Sequence, residues 1–174
     1  MKKKDIWISL AIITAAGLTL LFYTKRGGFV GIDAGSANAV LQLRSNWFRH
    51  KTITSGAEPA AIGVRIYGPQ FLSLSMRQDG HTWKIESIGP WADLSKIKAR
   101  NNEATTIRIG PPFLIKPQVH KNGSILSIGY VINGQAGEQY RNFVTKDSQA
   151  VTGAKIKIID EAGNVLEFGK FKYG

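Results

Sequence analysis

The segment Leu72–Ile88, LSLSMRQDGHTWKIESI, gives the clearest indication of the fold because it reads as a β-hairpin. In its first half Leu72, Leu74 and Met76 alternate with polar residues, and side chains two positions apart lie on one face of a strand. Asp79-Gly80 then supplies the positive φ values that a tight hairpin turn needs. The return strand alternates in the same way. We therefore predict two antiparallel strands that share an apolar face.

The same pattern extends from this hairpin in both directions. Short alternating or β-branched runs are separated by turn signals about every 8–14 residues, which favours an all-β sandwich of about ten antiparallel strands. Gly68-Pro69 is expected to end one strand, because proline cannot donate a ladder hydrogen bond. Residues 91–99 read either as one helical turn or as an edge strand. No helix is predicted after residue 26.

Breaks in the pattern indicate the organisation of the chain. Residues 27–38, GGFVGIDAGSAN, are rich in Gly, Ala and Ser and are expected to form a flexible tether. Gly110-Pro111-Pro112 interrupts strand pairing and is the best candidate for an internal boundary. It separates a first β half, 39–109, from a second half, 110–174. These halves are either two small lobes or parts of one larger sandwich.

An apolar stretch precedes the β-rich part of the chain. Ile6–Tyr23, IWISLAIITAAGLTLLFY, has eighteen residues without a formal charge. As a helix it would be about 27 Å long, close to the thickness of a hydrocarbon core. Trp7 and Tyr23 stand near its ends, where aromatic rings favour the headgroup level. Three lysines precede it and Lys25-Arg26 follow, so the larger positive excess should keep the N-terminus in the cytoplasm.

Three interpretations of this stretch compete. A cleaved signal peptide would have a shorter apolar region followed by a small-residue cleavage site, and a buried core helix would rarely be apolar on all sides. We therefore expect residues 1–26 to be an uncleaved signal anchor in a bacterial cytoplasmic membrane, with the C-terminal domain periplasmic or extracellular. The residues predicted to span the bilayer include Ile6, Trp7, Leu10, Ile13, Gly17, Leu20 and Tyr23.

The charge and the cysteine content give further indications of the cellular location and of the kind of partner. The 174 residues carry a formal net charge of +11, of which the first 26 residues contribute +4 and the remainder +7. A basic surface can meet nucleic acid, anionic lipid headgroups or acidic polymers, and behind a signal anchor the last two are better placed. The chain has no cysteine, so an exported domain must be stabilised by core burial alone. This composition favours a bacterial envelope protein.

Three segments of the second half carry a resemblance to a known family. They are PFLIKP at 112–117, SILSIGYVINGQAGEQY at 124–140 and AKIKIIDEAGNVLEFGKF at 154–171. The half resembles a bacterial immunoglobulin-like module, and the first half is similar to prealbumin-like or carboxypeptidase regulatory-like sandwiches. This resemblance implies a fold and no particular activity.

Motifs for catalysis or metal binding are not found. His50, His81 and His120 have no second ligand at helical or strand spacing, and no cysteine completes a zinc set. Nucleophile-elbow, P-loop and dinucleotide-binding motifs are missing. Glu138 reads either as a site residue or, more simply, as the ion-pair partner of Arg141. We expect no enzyme activity, no metal and no cofactor.

Aromatic and basic residues mix in a few places, and these form the predicted contact surface. Aromatic rings and cations can bind a protein partner, a sugar ring or a nucleic acid, and lysines can also simply protect an edge strand. The sequence thus predicts a non-enzymatic protein-interaction or structural subunit of the envelope, with a carbohydrate or cell-wall polymer-binding module as the alternative. Nucleic acid is not an expected partner. The candidate residues are Trp47, Arg49, Lys51, Trp91, Glu138, Tyr140, Lys155, Lys157, Lys170 and Lys172.

Overall fold

A computed structural model describes residues 27–46, 49–151 and 153–171. The predicted membrane stretch, Trp47 and Lys172 lie outside these ranges. Within them, no helix is long and apolar enough to cross a membrane.

The described residues form an all-β protein, as the alternation predicts, with fifteen strands rather than about ten. A 3₁₀ turn occupies Ala92–Ser95. The strands are β1 Gly27–Asp33, β2 Asn38–Asn46, β3 Arg49–Thr54, β4 Ala60–Gly63, β5 Arg65–Gln78, β6 His81–Ser87, β7 Ile97–Ala99, β8 Ala104–Arg108, β9 Leu114–Asn122, β10 Ile125–Asn133, β11 Gln139–Tyr140, β12 Val144–Lys146, β13 Gln149–Ala150, β14 Lys155–Ile159 and β15 Val165–Lys170.

These strands assemble into four mostly antiparallel sheets. The largest has the order β13-β12-β6-β5-β2-β3, and β7 pairs with the outer part of β5. Two three-stranded sheets have the orders β4-β1-β8 and β11-β10-β9, and β14 pairs with β15. Because β12 pairs with β6, the largest sheet includes strands from both sides of the Gly-Pro-Pro segment.

The core lies where the largest sheet and the β4-β1-β8 sheet bring their apolar side chains together. Leu41, Leu43 and Leu72 of the first sheet are fully buried, and Val30 and Ile32 of β1 belong to the same cluster. Burial of these branched side chains removes apolar surface from water, which stabilises the folded state by about 25 cal/mol per Å².

The central hairpin matches its prediction closely. β5 and β6 pair in register from Leu72 opposite Ser87 to Gln78 opposite His81. The turn residues Asp79 and Gly80 have φ values of 51° and 78°. A second tight hairpin joins β9 to β10 through a two-residue loop, Gly123-Ser124, between Asn122 and Ile125.

Residues 27–38 are not a flexible tether over their whole length. Gly27–Asp33 forms β1, which pairs antiparallel with β4 and parallel with β8. The glycines that suggested flexibility serve close packing, since a Cβ on Gly28 would lie 2.5 Å from the Arg100 carbonyl oxygen. The expected tether is therefore part of the core.

Gly68-Pro69 does not end a strand, because β5 continues from Arg65 to Gln78. Proline is tolerated there since β7 pairs only with residues 65–67 and β6 only from Leu72 onward, so no neighbour needs the missing amide on that side. The register with β2 shifts at this point, which marks a bulge. In residues 91–99 both proposed structures occur, the 3₁₀ turn followed by β7.

Candidate functional site

The β9–β10 hairpin exposes an apolar surface. Residues directly opposite each other in an antiparallel pair share a face. The register therefore places on one face Ile115, Pro117, Val119, Lys121, Leu126, Ile128, Tyr130 and Ile132, which we call the apolar face. All of β9 is exposed, with Ile115 and Val119 at 61% and 56%, and Leu126 of β10 is 50% exposed, so most of this face contacts solvent. Exposed apolar patches of this kind mark interaction sites.

This face continues into an apolar groove at the root of the hairpin. The groove has a volume of about 490 Å³. Its walls include Leu74, Met76, Trp83, Phe113, Ile115 and Ile132, of which the last two belong to the apolar face. Groove and face thus form one continuous apolar surface, and the volume lies within the range of pockets that hold ligands or anchor side chains.

Three lysines of the predicted contact surface lie on the β14–β15 hairpin, which we call the closing hairpin. Lys155 stands opposite Lys170, and Lys157 stands opposite Phe168. All three lysines are exposed, and Phe168 beside them is 67% exposed. Like charges directly opposite each other destabilise a hairpin slightly, whereas lysines on the two edge strands of this sheet protect them from further pairing. Lys172 lies beyond the described residues.

A second cleft brings together another part of the predicted surface. It has a volume of about 540 Å³ and lies between the end of β2, the bulge of β5 and Trp91. Its walls include Arg44, Ser45, Asn46, Gln70, Ile88 and Trp91. Arg49 and Lys51 are exposed on β3, and Arg49 pairs with Asn46 of the cleft wall.

Ser45 is unusual within this cleft. Its buried Oγ has no hydrogen-bond partner among residues 27–46, 49–151 and 153–171. A buried hydroxyl left unsatisfied costs about 1–3 kcal/mol. Departures from full polar satisfaction are expected at functional sites rather than in a wall built for stability.

Glu138 and Tyr140 do not contribute to any contact surface, since both are buried. Glu138 Oε1 accepts hydrogen bonds from the Gly110 amide at 2.8 Å and the Tyr140 hydroxyl at 2.7 Å. Its Oε2 accepts one from the Ala136 amide at 2.9 Å. The expected ion pair with Arg141 is not formed; the Arg141 amide instead donates to the Glu86 carbonyl. We call this arrangement the Glu138 network.

The Glu138 network fixes the Gly-Pro-Pro segment against the loop at 133–137. Burial, followed by the hydrogen bond to Glu138, raises the pKa of Tyr140 far above its usual range. Tyr140 therefore stays protonated and acts as a donor at physiological pH. Its ring also packs edge-on against Phe113, with centroids 5.3 Å apart. Sequence reasoning noticed Glu138 but lacked its main partner, because Gly110 is 28 residues away along the chain.

His81 is the exposed first residue of β6, directly after the Asp79-Gly80 turn, and it has a partner that the sequence did not indicate. Its Nδ1 lies 2.6 Å from Asp147 Oδ2, and the Thr82 amide donates to the same carboxylate. The Thr82 hydrogen bond, followed by that of His81, lowers the pKa of Asp147. This cluster connects the start of β6 to the turn after β12. No group of three or more His, Asp or Glu side chains in the described ranges is placed to hold a metal ion.

Comparisons with known proteins find no matching family model, curated protein or solved structure. The all-β architecture therefore rests on the strands themselves, and the immunoglobulin-like subtype stays a prediction.

Proposed function

We propose that this protein is a single-pass membrane-anchored, extracytoplasmic β-sandwich that acts as a non-enzymatic interaction or structural subunit of the bacterial cell envelope. The apolar stretch Ile6–Tyr23 with its lysine flank supports the anchor. The continuous apolar surface of the β9–β10 hairpin and its groove supports the interaction, and it is the observation that carries the proposal.

The apolar surface suits a protein partner because of its shape and composition. Three branched side chains on two paired strands present a flat apolar strip, and the groove next to it can accept an anchoring side chain. A monomer in water gains nothing from leaving such side chains exposed, whereas burial against a partner removes them from water.

Photo-crosslinking in intact cells of the native organism tests this role. A photoreactive amino acid at Leu126 or Ile115, at the two ends of the apolar face, should give the same crosslinked envelope protein from both positions. Matched controls are Ser127 and Lys116, which lie next to them on the opposite face of the same strands. These positions should give little or no product.

The difference in crosslinking between the apolar face and the opposite face decides whether the partner binds through this surface. Equal crosslinking from both faces, or no product from the apolar face, would contradict an interaction through this surface. Retention in the membrane after carbonate extraction, and protease accessibility of the domain in spheroplasts, test the anchor and its orientation separately.

The second cleft favours the alternative of a polymer-binding module. Trp91 and Ile88 provide apolar surfaces in this cleft. Asn46 and Gln70 provide amide groups, and Arg44 provides a guanidinium group. This combination suits a sugar ring that bears hydroxyl and carboxylate groups. Among the described wall residues no acidic side chain opposes an anionic ligand.

Cosedimentation of the full chain with purified wall polymer at low and high salt tests this alternative. Trp91→Ala and Arg44→Gln should each weaken binding, whereas Trp83→Ala, a tryptophan in the other groove, should leave it unchanged. Absence of cosedimentation at low salt removes polymer binding as a function and leaves the protein-contact role unaffected.

A further inference from the structure

The first strand fixes which end of the domain lies near the bilayer. Only residues 24–26 separate the predicted membrane stretch, which ends at Tyr23, from β1, which begins at Gly27. Three residues span at most about 10 Å. On the proposed anchor, Gly27 and its neighbours are therefore held at the level of the lipid headgroups.

The neighbours of Gly27 come from two other parts of the chain. Gly27 pairs with Gly63 at the end of β4, and its carbonyl accepts a hydrogen bond from the Asn102 amide at 2.9 Å. The β5–β7 pair continues outward from these positions, with Arg65 opposite Ala99. Segments 63–66 and 98–102 thus surround the point where the chain enters β1.

The exposed side chains of these segments are basic and apolar. Arg65, Lys98 and Arg100 are all exposed, and we call them the basic rim. Val64 and Ile66 beside them are 46% and 54% exposed, and Ile66 stands directly opposite Lys98.

Two acidic residues, Asp93 and Glu103, share a cleft with Lys98 and Arg100 of the basic rim, and Lys96 lines the same cleft. Glu103 pairs with Arg100 at 3.4 Å, and the rim still retains a positive excess.

The other end of β1, at Asp33, is about 20 Å from Gly27 along the strand. There the Asp33 carbonyl accepts a hydrogen bond from the Ile109 amide, and the next residue, Gly110, bonds to Gln135 near the root of the β9–β10 hairpin.

We propose that the basic rim binds anionic lipid headgroups while Val64 and Ile66 enter the interfacial region of the same bilayer. Cations near an anionic surface gain electrostatic attraction, and apolar side chains at the boundary gain from burial. This contact fixes the orientation of the domain and leaves the apolar face at the far end of β1 available to a partner. The inference rests on the proposed anchor.

The chain has no cysteine, so a single label can report on the contact. Asn101→Cys places an environment-sensitive fluorophore in the exposed turn beside the rim. In the full chain reconstituted in vesicles of phosphatidylcholine with phosphatidylglycerol, we expect a blue-shifted emission and quenching by brominated lipid. Both signals should be about twofold or more weaker in phosphatidylcholine alone, and about 1 M salt should suppress them by screening.

Two matched triple variants distinguish an effect of the basic rim from an effect of the net charge of the protein. Arg65→Gln, Lys98→Gln and Arg100→Gln together should abolish the dependence on anionic lipid. The Lys155→Gln, Lys157→Gln and Lys170→Gln combination removes the same charge from the closing hairpin and should preserve it. Circular dichroism of both variants checks that the sheets are intact.

Each outcome bears on the proposal. Quenching that is equal in neutral and anionic vesicles, or equal in the two triple variants, overturns the rim contact and leaves the anchor in place. Release of the chain from vesicles by carbonate overturns the anchor, and the rim contact with it.

Discussion

Replacement of Glu138 by Gln should destabilise the protein strongly although the two side chains have nearly the same shape. The Glu138 carboxylate accepts hydrogen bonds from two buried donors, the Gly110 amide and the Tyr140 hydroxyl, and from the partly buried Ala136 amide. Glutamine offers one accepting oxygen and one donating amide. In one orientation of the amide the partly buried Ala136 donor faces another donor and loses its partner, and in the other the buried Gly110 and Tyr140 donors do.

The magnitude follows from these contacts. An unsatisfied buried donor costs about 1–3 kcal/mol, and the remaining hydrogen bonds lose their charge assistance, so we expect a loss of about 2–4 kcal/mol in the free energy of unfolding. At a urea dependence of about 2 kcal/mol per M, the midpoint should fall by about 1–2 M. Tryptophan fluorescence of the full chain in mild detergent measures that midpoint.

Controls make the result specific. Tyr140→Phe removes one of the three donors and should cost about 1–3 kcal/mol. Glu58 is exposed, so Glu58→Gln should stay within about 0.5 kcal/mol of the parent protein. If Glu138→Gln is as mild as Glu58→Gln, the Glu138 network does not hold the Gly-Pro-Pro segment and the reasoning is refuted.

Two further changes test local structure. The pKa of Asp147 is lowered on folding, chiefly by the Thr82 amide, so its carboxylate stabilises the protein above the usual carboxyl pKa and loses this effect as pH falls through the lowered value. Asp147→Asn should therefore lower the unfolding midpoint at pH about 6 and approach the parent value near pH about 2, whereas a constant difference across this range contradicts the linkage. Gly110 has a φ of 79°, and a Cβ there would lie 2.9 Å from Leu74 Cδ1, so Gly110→Ala should cost about 1–3 kcal/mol or more in thermal unfolding. Gly35 also has positive φ but open space around it, so Gly35→Ala should cost less, and equal costs would exclude the contact with Leu74.

Local signals predicted much of the secondary structure. Alternation and the Asp-Gly dipeptide are properties of adjacent residues, and the turn at Asp79-Gly80 and the pairing of β5 with β6 follow from them. Local reasoning of the same kind applies to the hairpins around Gly123 and Gly163. It counted fewer strands because several strands, such as β11 and β13, have only two residues and no detectable period.

The candidate surfaces were predicted only in part. Trp91 was identified by its type, but its position beside Arg44 depends on a bulge in β5 that no local pattern indicated. Alternation alone places Lys155 and Lys157 on one face, and the strand register adds Lys170 opposite Lys155. Glu138 was identified as a polar residue near a loop, and its burial could not be anticipated.

The sequence by itself determined that the chain is built from β-strands, where its tight turns lie and which side chains share a strand face, because these follow from neighbouring residues. Only the tertiary structure decided which faces are covered. The composition of residues 27–33 predicted a flexible segment, but in the structure they form a strand whose parallel partner, β8, lies more than seventy residues away along the chain. The apolar face of β9–β10 has the same alternation as a core strand, yet its β9 side is exposed along its whole length. Burial depends on contacts between distant segments, and strand periodicity carries no information about them.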